Sequence, residues 1–169
     1  MSTSEFKPTR HLTCAETAKL LRAQLKRDFP GTKFSVRSDT YSGGASIRVR
    51  YTDGPKKAAV DKVAQLYAGA TFDGMIDLKS YHTSWLRDED GEPQEVHFGA
   101  DFVFVDRDES PERRQRIIAA VERGTRLPYD PSTRMPGYWY PQDAGVELLS
   151  LGAAHYMSDA YHQLSELVD

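Results

Sequence analysis

The residues in this sequence best suited to chemistry are cations. Lys33, Arg37, Arg48 and Arg50 alternate with apolar residues in two short segments, and Lys19, Arg22 and Lys26 recur at helical spacing just before them. Clustered lysine and arginine neutralise phosphates and give sequence-independent affinity for nucleic acid, and Tyr41 or Tyr51 could stack on a base. The alternative is internal: the same arginines could pair with carboxylates of the C-terminal half, such as Asp143 and Glu147. Charge is divided accordingly. Residues 1–62 hold 13 Lys and Arg against 6 Asp and Glu, the rest 9 against 19, and the sum is a net charge of -3. Such asymmetry implies a polarised surface or two halves that neutralise one another.

Other constellations are less specific. Tyr138-Trp139-Tyr140 lies between Pro136-Gly137 and Pro141. Large aromatics in a proline-rich loop either plug the core or anchor a protein partner, because Trp and Tyr dominate interface hot spots. His155, Asp159 and His162 fall at i, i+4 and i+7 of an expected last helix; one shared face could hold a divalent metal with a further ligand from elsewhere, or be a plain polar outer face. His97 and Asp101 share a strand face, with His82 on the expected hairpin partner; such a cluster could do acid–base work or be a structural carboxylate–histidine bond. Ser42-Gly43-Gly44 precedes no helix and follows no parallel strand, so it lacks the context of a phosphate-binding loop. Cys14, at a helix start, reads as packing. No nucleophile stands out, no cofactor is implied, and no carboxylate pair is placed across a cleft.

Length and composition set the frame. With 169 residues, 39% hydrophobic and 28% charged, the chain is of a size for one domain with a small annex, neither disordered nor fibrous. No apolar run is long enough to span a membrane, and the start MSTSEFKPTR lacks the apolar core of a signal peptide. A single cysteine excludes an internal disulfide and fits a reducing cytoplasm. These features predict a cytoplasmic protein without a membrane partner.

The positioning elements follow from punctuation and periodicity. Residues 1–11 are expected to be a flexible arm. Thr13-Cys14-Ala15-Glu16 predicts a capping box and a helix to about Asp28, stopped by Pro30-Gly31, with Ala18, Leu21, Leu25 and Phe29 inward. Lys33–Arg37 and Ser46–Tyr51 alternate as strands joined by a long, glycine-bearing tip. Burying Phe34, Val36, Ile47 and Val49 sends Lys33, Arg37, Arg48 and Arg50 to the other face. A second helix follows Pro55. Lys79–Leu86 and Glu95–Val105 predict a second hairpin, with Val96, Phe98, Ala100, Phe102 and Phe104 on one face. Ser110-Pro111-Glu112 opens a third helix ending near Gly124, with Ile117, Ile118 and Val121 inward and Arg113, Arg114 and Arg116 outward. The expected class is α+β: a mostly antiparallel sheet of two hairpins packed against helices, with a helical C-terminal extension. The expected division is a domain over 12–124, then a proline-rich loop and C-terminal helix over 125–169 packed on it.

From about Leu12 to Arg107 the sequence resembles a family of domains associated with large polyvalent proteins of phages and conjugative elements. The resemblance is carried by Leu25-Lys26-Arg27-Asp28-Phe29-Pro30, Lys33-Phe34-Ser35-Val36-Arg37, Tyr41-Ser42-Gly43-Gly44-Ala45-Ser46-Ile47, Tyr51-Thr52-Asp53-Gly54-Pro55, Phe72-Asp73-Gly74-Met75-Ile76-Asp77 and Phe98-Gly99-Ala100-Asp101. It implies an accessory module travelling with mobile DNA, and it carries over no catalytic residues. The expectation is a non-catalytic accessory or counter-defence protein, anti-CRISPR-like in role, acting in the host cell. Its partner would be nucleic acid or a host nucleoprotein defence complex. A metal-assisted hydrolase built on the histidines and a purely structural interaction module are the alternatives.

Overall fold

Thr13 starts the first helix as the sequence dictates. Its hydroxyl accepts from the Glu16 amide at 3.2 Å, and the Glu16 carboxylate accepts from the Thr13 amide at 2.8 Å. Two of the amides that a helix start leaves unsatisfied are thereby met. The helix, α1 (Cys14–Asp28), buries Ala18, Leu21 and Leu25 along one stripe. This computed structural model describes residues 8–73, 78–87, 90–125, 130–131, 136–139 and 154–165. The chain forms two units, Met1–Tyr51 with Lys57–Arg107, and Thr52–Lys56 with Asp108–Asp169.

In the first unit, β2 (Ser35–Tyr41) and β3 (Gly44–Thr52) make the expected hairpin, with Val36 opposite Val49 and Arg37 opposite Arg48. The long tip expected between them is instead paired strand, closed by a two-residue turn in which Gly43 has φ +89°. Two-residue turns match the twist of paired strands but need positive φ, which glycine supplies. Closing the turn there lets residues 38–41 bond across to 44–47 instead of leaving their backbone groups to solvent. Helix α1 packs on this ribbon. Ala18, Leu21 and Leu25 share a core with Val36, Ala45, Ile47, Val49 and Tyr51, joined by Val103 and Val105 of β8 (Phe102–Asp108).

Strand β8 completes a sheet of order β2-β3-β8. The Asp101 amide donates to the Ala45 carbonyl at 2.8 Å, while Arg48 and Arg50 further along β3 reach Asp106 further along β8. The contacts advance in the same sense on both strands, so β8 runs parallel to β3. A second sheet has the order β1-β7-β6: β1 (Arg10–His11) pairs in parallel with β7 (Pro93–His97), and β6 (Ser84–Arg87) pairs with β7 antiparallel. The antiparallel pair β4 (Ala70–Asp73) and β5 (Leu78–Tyr81) follows α2 (Lys57–Ala64) and a 3-10 turn over Gln65–Tyr67.

The α+β class therefore holds, but the sheet of two hairpins does not. The expected second hairpin is divided: Lys79–Leu86 splits into β5 and β6, and Glu95–Val105 into β7 and β8, with the halves serving different sheets. Gly99 marks the break. A Cβ on it would lie 2.2 Å from the Leu12 carbonyl oxygen and 2.6 Å from the Thr13 carbonyl carbon, so only glycine lets the chain pass the entry to α1. Beyond this passage the alternation changes phase. Val96, Phe98 and Ala100 are buried as expected, but the next buried residues are Val103 and Val105. Phe102 and Phe104 turn to the other face. Within the stretch expected as a flexible arm, Arg10 and His11 are instead strand, paired with Val96 and His97.

In the second unit, Asp53 takes φ +54°; its amide donates to the Asp108 carbonyl at 2.8 Å and its carboxylate accepts from the Ser110 amide at 3.0 Å. Helix α3 (Pro111–Thr125) follows, then β9 (Pro136–Trp139), paired antiparallel with β10 (Ala154–Tyr156), and α4 (Met157–Ser165). Ile117 and Val121 are buried as expected. Arg113, expected outward, is instead 2% exposed, and its Nη2 donates to the Ser165 carbonyl at 2.8 Å. Among the described residues no helix is long and apolar enough to cross a membrane.

Candidate nucleic-acid interface

The helix covers one face of the β2-β3-β8 sheet, and strand alternation then fixes what the other face shows. Arg37 and Arg48 stand directly opposite one another on neighbouring strands, with Arg50 two residues further on and Tyr41 at the hairpin end. All four are exposed. Arg48 Nη1 lies 3.2 Å and Arg50 Nε 3.5 Å from the same Asp106 oxygen, with the arginine side chains 55% and 58% exposed. Pairs this exposed contribute little and are readily exchanged for another anion, and one carboxylate does not neutralise two guanidinium groups. Among the described residues, the carboxylate that reaches Arg48 and Arg50 belongs to the neighbouring strand. Asp143 and Glu147, the partners considered from sequence, lie outside the described residues.

Beside the arginines runs a row of aromatic rings: Tyr41 is the stacking candidate named from sequence, whereas Phe102 and Phe104 were expected in the core and Tyr81 was not singled out. Phe104 and Tyr41 are each 48% exposed and Tyr81 is 61% exposed. The Phe102 and Phe104 centroids are 6.3 Å apart, and the Arg48 guanidinium lies 5.9 Å from the Phe104 centroid. Lys79 Nζ sits 4.9 Å from the Tyr81 ring centre and 5.5 Å from that of Phe102. It is held there by Asp101 at 2.8 Å. That hydrogen bond, reinforced by Tyr81, raises the Lys79 pKa above its ordinary value. A readable signal existed in Phe102-Val103-Phe104-Val105: a strand with bulky apolar residues on both faces must expose one set when only one face is covered.

The expected basic surface is divided between two faces. Lys19, Arg22 and Lys26 are exposed on α1, the helix that covers the opposite side of the sheet. Arg22 Nη2 donates to the Val36 carbonyl at 2.6 Å, which blunts the edge strand β2. Lys33 is exposed but precedes β2. Tyr51, named with Tyr41 as a stacking residue, is buried at 3% exposure with its ring 5.1 Å from Phe34. Tyr138 and Trp139 fall in β9, and Tyr140 lies outside the described residues.

The histidines do not assemble as a helical metal site. His155 falls in β10 while Asp159 and His162 lie on α4, so they do not share one helix face. Among the described residues no group of three or more His, Cys, Asp or Glu side chains is arranged to hold a metal. His97 lies with its ring 5.4 Å from that of His11 and 5.9 Å from that of Tyr81. Burial first, then repulsion from His11, lowers its pKa. The Asp101 carboxylate is occupied by Lys79 and by the Ala45 amide, 2.9 Å away. Cys14 is buried with Sγ 3.5 Å from the Ser46 carbonyl oxygen, and burial pushes its thiol pKa up, away from nucleophilic use.

The fold and this face define a helix-backed α+β module with one open, cation-bearing sheet surface. Residues 12–110 match large polyvalent protein associated domain 29, and the chain belongs to that family. It is thus an accessory module of the polyvalent-protein type associated with phages and other mobile elements. No curated protein and no solved structure matches the chain.

Proposed function

We propose that this chain is a non-catalytic, nucleic-acid-binding accessory protein of a mobile element, using the open face of the β2-β3-β8 sheet. The observation that carries the reading is the placement of Arg37, Arg48 and Arg50 on one solvent-facing surface, with one carboxylate among the described residues, Asp106, shared by the last two. A phosphate approaching from solvent meets two guanidinium groups already oriented side by side, and it can replace a weak, exposed carboxylate contact. Counter-defence in the host cytoplasm is the role such binding would serve.

Titration of labelled oligonucleotide at several salt concentrations tests the reading. Binding is expected to weaken steeply with salt, and Arg48→Gln with Arg50→Gln is expected to lower the log–log slope by roughly 1–2. Absence of binding at low ionic strength overturns it. Capture of a host complex that survives nuclease treatment would identify a protein partner instead.

A further inference from the structure

We infer that the open face takes single-stranded nucleic acid, with unpaired bases stacked on Phe104 and Tyr81 and phosphates held by Arg48, Arg50 and Lys79. This rests on the proposed function and names the form of nucleic acid. The argument begins with the cost of the arrangement. Phe104 and Tyr81 leave about half or more of their surface in water, although Val103 and Val105 on the same strand as Phe104 are buried. Clustered exposed aromatic surface marks a contact site more often than chance.

The neighbours of these rings select the ligand. Arg48 stands 5.9 Å from the Phe104 centroid, and Lys79 bridges Tyr81 and Phe102 at 4.9 and 5.5 Å. Rings and cations are therefore interleaved in the order Tyr81, Lys79, Phe102, Phe104, Arg48, running from β5 of the neighbouring strand pair onto β8 and β3 of the sheet. An apolar protein surface would satisfy the rings but bury the cations and their carboxylates at a desolvation cost, and a duplex would satisfy the cations but keep its base faces inside its own stack. A single strand offers both at once: π faces free to stack and a phosphate for every base. Stacking on aromatics borne by an open sheet is also sequence-tolerant, since every base has a π face. The platform is preorganised, because Phe102 and Phe104 project from a paired strand and Asp101 fixes Lys79 at 2.8 Å.

Fluorescence anisotropy with labelled oligothymidine, an RNA 12-mer and a DNA duplex of the same length tests this on the full chain. Single strands are expected to bind at least tenfold more tightly than the duplex, with the DNA and RNA arms reporting any preference between them. Phe104→Leu and Tyr81→Leu, which keep apolar bulk but remove the π face, are each expected to weaken single-strand binding about tenfold. Phe104→Tyr should retain it. Equal affinity for duplex and single strand, or leucine variants that bind normally, overturns the inference while leaving a cationic nucleic-acid face intact. Absence of binding to every probe at low salt overturns the inference and the proposed function together. Because Phe104 and Tyr81 are exposed, circular dichroism of their variants is expected to match the parent.

Discussion

Asp101 Oδ2 and Lys79 Nζ lie 2.8 Å apart, and the same carboxylate oxygen accepts the Ala45 amide at 2.9 Å. One side chain thus ties β5 to the start of β3 and aims a cation between Tyr81 and Phe102. Gly44 makes room for it, since a Cβ there would lie 2.5 Å from that oxygen.

Asp101→Ala should therefore do two things. It removes a charged acceptor from a buried amide at Ala45, which is expected to cost about 1.5–3 kcal/mol in denaturant unfolding. It also releases Lys79. The ammonium has a raised pKa in the folded state, so its stabilisation is present below the ordinary lysine value and is lost as pH rises through the folded one. The stability gap between parent and Asp101→Asn should accordingly be flat through neutral pH and shrink only in the alkaline range, as urea midpoints against pH will show.

Gly99→Ala tests the passage between β7 and β8. The new methyl would meet the Leu12 carbonyl oxygen and the Cys14 amide nitrogen at 2.2 and 2.7 Å, and backbone cannot swing aside as a side chain can. A loss of about 1–3 kcal/mol is expected from thermal or denaturant unfolding. A neutral result would mean that the approach of this strand to α1 is not as close as described.

Thr13→Ala removes the hydroxyl that accepts the Glu16 amide, and a loss of about 1 kcal/mol is expected. Glu16, held below its usual pKa first by the Thr13 amide and then by the Thr13 hydroxyl, adds a signature in pH. Its folded pKa is depressed, so its contribution is present above the ordinary glutamate value and fades as pH falls through the folded one. Glu16→Gln should remove that acid-side slope while leaving stability at high pH less affected than Thr13→Ala does.

His97 should destabilise the fold on mild acidification. Its folded pKa is lowered by burial and by His11, so the unfolded chain binds its proton first, and stability falls as pH drops through the ordinary histidine range near ~6.5. His97→Gln should flatten the dependence between about pH 7 and 5, measured by thermal melts. An unchanged slope would show that folding does not lower the affinity of His97 for its proton.

How far each feature could be read in advance depended on the range of the interaction that sets it. The capping box at Thr13 and Glu16 needs only three residues, and it was legible. So was the outward phase of Arg37, Arg48 and Arg50, because alternation within one hairpin relates each residue to its immediate neighbours. The hairpin tip was not legible: the polar run Ser38 to Ala45 reads as a long loop, and only the cross-strand register shows residues 38–41 paired with 44–47 about a two-residue turn. Arg113 was assigned outward because a charge on a helix usually is; its inward position depends on the Ser165 carbonyl, 52 residues away.

The family was legible in the sequence through its resemblance over about Leu12 to Arg107; the α+β class, the first helix and the cation-bearing ribbon were determined by the sequence alone, since periodicity, caps and turn residues act over a few positions. Tertiary structure alone decided the aromatic row and the seat of Lys79. Val96 to Phe104 reads as one uninterrupted alternation, yet the buried positions run Val96, Phe98, Ala100 and then Val103, Val105, so the phase reverses between Ala100 and Val103, where the chain leaves one sheet for another. Phe102-Val103-Phe104-Val105 shows that one set of bulky side chains must face outward, but which set does so depends on the pairing of β8 with β3, residues far apart in the chain, and that pairing leaves Phe104 on the open face beside Arg48.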